Sequence, residues 1–275
     1  VQWDAPSPDF TLGDVGRNYG VQWRDFKGGE NIATFGEQEY TKSVDQIQNL
    51  IENLKKPNPI NRRHIVTAWN PAELDDTALP PCHWAFEILP KPLSVRNKMY
   101  FASADAEYLE TLWSEAYTKG NEEAKEKLMK EIAGIPDYGF SLKWHQRSVD
   151  TFLGLPFNIA SYALLAQIIG DLTGMVALSV VGDLSNIHFY TKPENSDSKS
   201  HVELIKQQLE RNPAEYIGPT LIMSDNYSSR LAEYKNDEIS LTEFFLFLET
   251  EDFTLLNYNS YPALKGDMYA PTENL

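Results

Sequence analysis

The sequence predicts a single α+β domain carrying a helical insertion, and three observations lead there. Its 275 residues are 42% hydrophobic and only 23% charged, which is enough to fill a core and too apolar for a disordered chain. Short β-rich runs alternate with helical periodicities in irregular order, with no internal repeat. Between two such runs, residues 90–138 change character and read as a charged helical stretch set into the domain.

The elements follow in chain order. The first forty residues are rich in Gly, Asp and aromatics and read as loops around Gly13-Asp14-Val15-Gly16 and Tyr19-Gly20. Val44, Ile47, Leu50, Ile51 and Leu54 share one helical face, and Pro57 and Pro59 end that helix. His64 to Trp69 reads as a strand with a turn at Asn70-Pro71, and Ala85 to Leu89 as another. Asp105 to Ile132 is helical, with Glu123–Lys127 and Glu126–Lys130 at i,i+4. A tolerated surface insertion and a lid or partner-binding arm are both open readings of it. Leu142 to Val149 resumes a strand, and Leu155 to Leu172 is an apolar helix opened by Pro156 and stopped at Gly174. Val176 to Val181 and Ile187 to Tyr190 read as strands. Pro193 to Ser200 reads as a polar loop, His201 to Arg211 and Ser240 to Leu248 as helices, and Phe253 to Tyr258 as a last strand.

Composition narrows the function. With 24 Lys+Arg against 40 Asp+Glu, the net charge of −16 argues against a nucleic-acid binder, so any anionic ligand needs a local basic cluster. One cysteine excludes an intramolecular disulfide and a Cys-rich metal site, and fits a reducing, cytoplasmic setting; no metal is expected. The most apolar window, Phe152 to Gly170, contains Pro156, Asn158, Ser161 and Gln167 and reads as too polar for a bilayer, so no membrane partner is expected. The chain opens Val1-Gln2-Trp3-Asp4 without Met or a targeting pattern, from which a processed or truncated chain is expected.

Chemistry concentrates in a few segments. Cys82 lies in Leu79-Pro80-Pro81-Cys82-His83, where two prolines stiffen the approach to the thiol. A nucleophilic cysteine needs thiolate character from nearby cations, yet a lone Cys is commonly a small buried hydrophobe, and both readings stand. Adjacent Arg62 and Arg63 point different ways on a strand, so they meet one ligand only at a loop or a subunit boundary; solvated charges are the plainer reading. Gln146 to Asn158 places Arg147, Ser148, Asp150 and Asn158 around a strand-to-helix junction, where backbone N–H groups favour anions. Asn158 is either a satisfied core amide or a base reader. His188 and Tyr190 share one side of a strand and can grip one hydroxyl together.

Together these segments resemble the thymidylate synthase family. The matching pieces are Gly13 to Gly20 with Trp23-Arg24, Arg62 to Asn70, Ala78 to His83, Gln146 to Tyr162, His188-Phe189-Tyr190, and Asp252-Phe253 through Tyr258-Asn259 with Lys265. The resemblance implies a mixed sheet packed with helices and a homodimer through the sheet. It implies one-carbon transfer from 5,10-methylenetetrahydrofolate to C5 of dUMP, with Cys82 as the thiolate that attacks C6. It assigns Arg147 to lowering the thiol pKa and, with Ser148, to the phosphate. Arg62 and Arg63 would cross the dimer interface to the partner's phosphate, and Asn158 would read the uracil edge. His188 and Tyr190 would hold the ribose, Asp150 the folate pterin, Tyr19 the C5 proton path, and His83 a water network beside the nucleophile.

Three departures accompany the resemblance. The family's N-terminal portion, with a phosphate-loop arginine, a catalytic glutamate and a tryptophan-bearing helix, has no counterpart here, so a longer parent chain is expected. The 90–138 segment is longer than the usual connection, and the tail continues from Lys265-Gly266-Asp267-Met268 to Leu275. A modified tail and a large insertion favour dUMP hydroxymethylation, as in phages with modified DNA, over reductive methylation to dTMP. A nucleotide- or partner-binding member without turnover is the competing class.

Overall fold

Asp45 caps the first predicted helix by accepting from the Gln48 N–H, and Ile47, Leu50, Ile51 and Leu54 sink one face of it into the core. A computed structural model describes residues 15–35, 38–191, 200–216 and 218–266. It begins with α1 (Tyr19–Arg24), then β1 (Phe26–Phe35) and β2 (Gln38–Val44), an antiparallel pair where the sequence reading expected loops. Gly28 and Gly29 hid that hairpin, because glycine is depleted in strands. Next come α2 (Gln46–Leu54), β3 (Ile65–Thr67) and β4 (His83–Pro92).

The expected insertion resolves into α3 (Val95–Met99), α4 (Ala106–Thr118) and α5 (Glu122–Glu131), separated at Gly120, whose φ is +70°. Leu109, Leu112, Ala124, Leu128 and Ile132 give it a small core of its own, and Glu123–Lys127 pairs at 2.7 Å. It returns through β5 (Tyr138–Gln146), antiparallel to β4, with Pro92 opposite Tyr138. The insertion therefore caps the far end of a hairpin whose other end starts at His83. Ten strand residues put it about 30 Å from Cys82.

After β6 (Val149–Asp150), α6 (Leu155–Thr173) crosses over to β7 (Val176–Leu184), parallel to β5, and β8 (Ile187–His188) pairs with β6. The remainder is α7 (His201–Leu209), β9 (Thr220–Met223), α8 (Asp225–Lys235), α9 (Leu241–Leu246) and β10 (Phe253–Leu256). The expected loop at 193–200 falls almost wholly outside the described residues.

The main sheet has the order β3-β4-β5-β7. One face carries Val66, Phe86, Ile88, Phe140, Leu142 and Trp144 into a core completed by Tyr162, Ala166 and Ile169 of α6. By length and composition α6 reaches the limit for a membrane span, contrary to the expectation from its polar residues. Its Tyr162, Ala166, Ile169 and Leu172 are nevertheless spent on the sheet, the use of a core helix. The opposite sheet face leaves Ile65 56% and Val181 46% exposed, flanking a cluster in which His145 approaches Glu87 at 3.4 Å and Asp183 at 3.2 Å.

Phe140 is fully buried at the centre of this core, away from the polar end of β5. Phe140→Ala is expected to cost about 3–5 kcal/mol through lost transfer energy and a residual cavity. Urea unfolding checks it, and a loss under about 1 kcal/mol is the contrary result.

Candidate active site

The Pro80-Pro81-Cys82 approach is fixed from both sides. Gly16 bridges Thr77, and a Cβ on it would lie 2.2 Å from the Asp76 carbonyl, so only glycine permits that approach. Behind the contact, Glu73 accepts from Gln22 at 2.7 Å, Arg17 at 3.0 Å and Asn70 at 3.1 Å. Asn18 donates to the Leu79 carbonyl and accepts from the Tyr19 N–H, holding Tyr19 at a φ of +32°. That unusual backbone angle aims the phenol at the thiol loop: the Cys82 N–H donates to Tyr19 Oη at 3.0 Å. The Tyr19 ring also stacks on His83, centroids 4.4 Å apart.

Arg147 closes the other side. Its backbone N–H donates to the Cys82 carbonyl at 2.8 Å, and its guanidinium donates to the carbonyls of Pro81 at 3.1 Å and Pro80 at 2.8 Å. Arg147 lowers the thiol pKa, as expected, but burial outweighs it. Desolvation raises the half-buried thiol more than the guanidinium lowers it, so the net shift is upward. His83 supplies no cation either, since burial lowers its pKa to about 4 and keeps the ring neutral.

Cys82 alkylation by iodoacetamide is accordingly expected to rise about tenfold per pH unit from pH 7 to 8, since the thiolate is the reactive form and its fraction grows below the pKa. Arg147→Gln removes the one lowering charge and is expected to slow the reaction further at pH 8. A rate already flat above pH 7 is the contrary result.

Asn158 sits one turn before Tyr162 on α6, so both face the end of the core. Gln146, the last inward position of β5, donates to Asn158 Oδ1 at 3.1 Å, and Asn158 Nδ2 meets His83 Nε2 at 3.4 Å. The amide nitrogen only donates, so His83 Nε2 accepts and Nδ1 carries the proton toward Tyr162 Oη at 3.2 Å. Gln146 and Tyr162 join the candidate site through these contacts, and the sequence alone does not single them out. Their signal was a polar residue closing the inward alternation Phe140, Leu142, Trp144, Gln146, and an aromatic four residues after Asn158.

His188 Nε2 lies 3.4 Å from Tyr190 Oη, as their spacing implied, although Tyr190 lies just past the strand. Burial chiefly, then the charges of Asp150 and Cys82, raise the Tyr190 pKa, which places these groups together. Asp150 Oδ1 accepts from the Phe152 and Leu153 N–H groups, fixing the turn into α6. Ser148 is half-buried, and its carbonyl accepts from Gln146. Arg62 and Arg63 stand apart, exposed where the chain enters β3. From the β3–β4 register that is about 20 Å from Cys82, at the opposite end of the sheet. Among the described residues no His, Cys, Asp and Glu cluster could hold a metal ion.

The structure thus brings Tyr19, Cys82, His83, Arg147 and Asn158 together at one end of a mixed sheet, the arrangement of a cysteine-centred site with a half-buried amide held against His83, the neighbour of the thiol. The chain belongs to the thymidylate synthase family: the model of that family matches residues 2–108 and 127–270. Residues 109–126, the middle of the insertion, fall outside the match. It is 34% identical over 256 residues to the thymidylate synthase of Enterobacteria phage T4, covering 93% of this chain and 64% of that protein. To the thymidylate synthase of Malacoplasma penetrans it is 31% identical over 255 residues, 93% of this chain and 59% of that one. The crystal structure of the T4 phage enzyme superposes with a TM-score of 0.58, covering 94% of this chain and 65% of that chain. The chain therefore spans less than two thirds of the length of these relatives.

Proposed function

We propose that this chain carries the nucleotide-modifying site of a folate-dependent enzyme that transfers a one-carbon unit to C5 of dUMP, with dTMP as product. The observation that carries the reading is the convergence of Cys82, Arg147 and Asn158 at the end of β5. Attack of the Cys82 thiolate on C6 moves the ring's electron pair toward C5 and O4, and C5 becomes a nucleophile. The Asn158 amide donates to O4 as that oxygen gains charge, and its Oδ1 accepts from N3–H. Arg147 and Ser148 hold the phosphate, whose dianion in turn calls for more cationic charge than this end of the chain supplies. His188 and Tyr190 hold the ribose hydroxyl. Tyr19, fixed on the Cys82 N–H, lies on the path of the C5 proton, and His83 stays neutral beside it.

Arg62 and Arg63 serve the partner subunit on this reading, because their position at the far end of β3 keeps them from their own Cys82. The exposed Ile65 and Val181 face supports pairing with a second copy. 5,10-Methylenetetrahydrofolate supplies the one-carbon unit and, for dTMP, the hydride. A hollow of about 200 Å³ lined by Phe152, Leu153, Pro156, Phe157 and Arg211 suits a flat ring system ending in a carboxylate. Asp150, with one oxygen held by the turn, offers the other to the pterin. The lone thiol supports a cytoplasmic setting. The described residues belong to one catalytic domain on this reading, with 90–138 inserted in it.

A second reading, hydroxymethylation of dUMP, rests on the tail beyond Lys265, whose continuation at 271–275 departs from the family pattern and lies outside the described residues. The insertion lends it no support, since it lies at the far end of the hairpin from the thiol. Incubation with dUMP and methylenetetrahydrofolate, followed by weighing the nucleotide, tests the proposal. A methyl gain with dihydrofolate is expected. A hydroxymethyl gain with tetrahydrofolate transfers the assignment to the second reading. Binding without turnover reduces the chain to a nucleotide-binding member.

A further inference from the structure

Trp144 is 3% exposed and lies beneath the candidate site without reaching it. Its indole Nε1–H donates to Gln146 Oε1 at 3.1 Å, and this bond decides which way the Gln146 amide faces. With the oxygen turned to Trp144, Gln146 Nε2 faces the Ser148 carbonyl at 3.0 Å and Asn158 Oδ1 at 3.1 Å. The same indole stacks on Tyr162 at 5.3 Å with planes 12° apart, and Tyr162 engages His83, the partner of Asn158 Nδ2. Both ends of the Asn158 amide are thus tied, by two routes, to one tryptophan.

The room for that tryptophan comes from the neighbouring strand. Gly182 of β7 pairs with Trp144, and a Cβ on Gly182 would lie 2.5 Å from the indole. The side-chain volume of two facing positions is given wholly to one ring.

Orientation matters because an asparagine amide is ambiguous. With Oδ1 toward N3 and Nδ2 toward the exocyclic group, it matches uracil, which offers N3–H and O4. Rotated by half a turn, it matches cytosine, which offers a bare N3 and N4–H. In the observed orientation, Oδ1 keeps a second lone pair and Nδ2 a second N–H for the base. We propose that Trp144 is a positioning residue for pyrimidine specificity, locking Asn158 in its uracil-reading orientation through Gln146 on one side and Tyr162–His83 on the other. This inference rests on the reading of Asn158 as the base reader.

Trp144→Phe keeps a ring on Tyr162 and removes the indole N–H. Calorimetric titration of the 275-residue protein and the variant with dUMP and with dCMP tests the role, with thermal melts as the control for folding. The ratio of dUMP to dCMP affinity is expected to fall about fivefold to tenfold, the scale of one lost orienting hydrogen bond. Loss of general packing would weaken both nucleotides alike and leave the ratio in place. A parent that prefers dUMP beside a variant with an unchanged ratio overturns the positioning role alone. A parent that does not distinguish the two nucleotides overturns the base-reader reading, and this inference with it. Gly182→Ala, which pushes on the indole while retaining its N–H, is expected to lower the same ratio, and no change there also counts against the role.

Discussion

Cys82→Ala is expected to lower turnover of dUMP by more than about a thousandfold while leaving nucleotide binding within a few fold. On the proposed one-carbon transfer, the thiol is the group that forms and releases a carbon–sulfur bond at C6, and covalent catalysis has no partial substitute when its nucleophile is removed. Its surroundings survive the change: the bonds from Tyr19 and Arg147 go to the backbone N–H and C=O of residue 82, not to its side chain. Ala also fits the half-buried position without leaving a charge unpaired. Steady-state rates with dUMP and methylenetetrahydrofolate, paired with calorimetric binding of dUMP, separate the two effects. A variant that retains a tenth of the parent rate would remove Cys82 from the chemistry.

Asn158→Asp is expected to swing the dUMP/dCMP preference by at least about a hundredfold toward dCMP, since sites built on buried hydrogen bonds reject the wrong partner strongly. A carboxylate offers acceptors only. Uracil O4 would then face an oxygen, whereas cytosine N4–H gains an acceptor and its bare N3 can share a proton with the carboxyl. The protein side adjusts without moving heavy atoms. Gln146 still donates to one oxygen, and the neutral His83 ring shifts its proton to Nε2 to donate to the other, with Tyr162 donating to Nδ1. Titrating both nucleotides into both proteins checks this, and a variant that still prefers dUMP would end the assignment of Asn158 to the base.

Much of this architecture was readable from residue spacing. The α2 face and the stop of α6 at Gly174, with φ +67°, follow from periodicity and glycine chemistry alone, whereas the strand expected at 142–149 begins four residues earlier, at Tyr138, and ends at Gln146. The element α8 did not: its sequence Asp225-Asn226-Tyr227-Ser228-Ser229-Arg230 has little apolar signal, and only Tyr227 and Tyr234 bury. It folds because Ser224 caps it and Tyr227 donates to Asp171 at 2.9 Å, a tertiary bond no local window contains. The site divides the same way. Cys82, Arg147 and Asn158 stand out in the chain, but the upward pull of burial on the thiol and the Gln146–Asn158–His83 relay exist only after four segments meet.

The parallel pairing of β5 with β7 sets an order of events in time. The β4–β5 hairpin is joined by contiguous chain, but β7 reaches its place only after α6 has crossed over, and long-range pairings of that kind form late. The groups that surround Cys82 come from α1, the end of β5 and α6, before β7 in the chain, and from His188 and Tyr190 after it. During synthesis and refolding the thiol is therefore an ordinary exposed sulfhydryl, and its special setting arrives once β7 and the segment that follows it are in place. Recovery of chemistry and recovery of the complete fold become one event, and a half-assembled chain carries no partial activity.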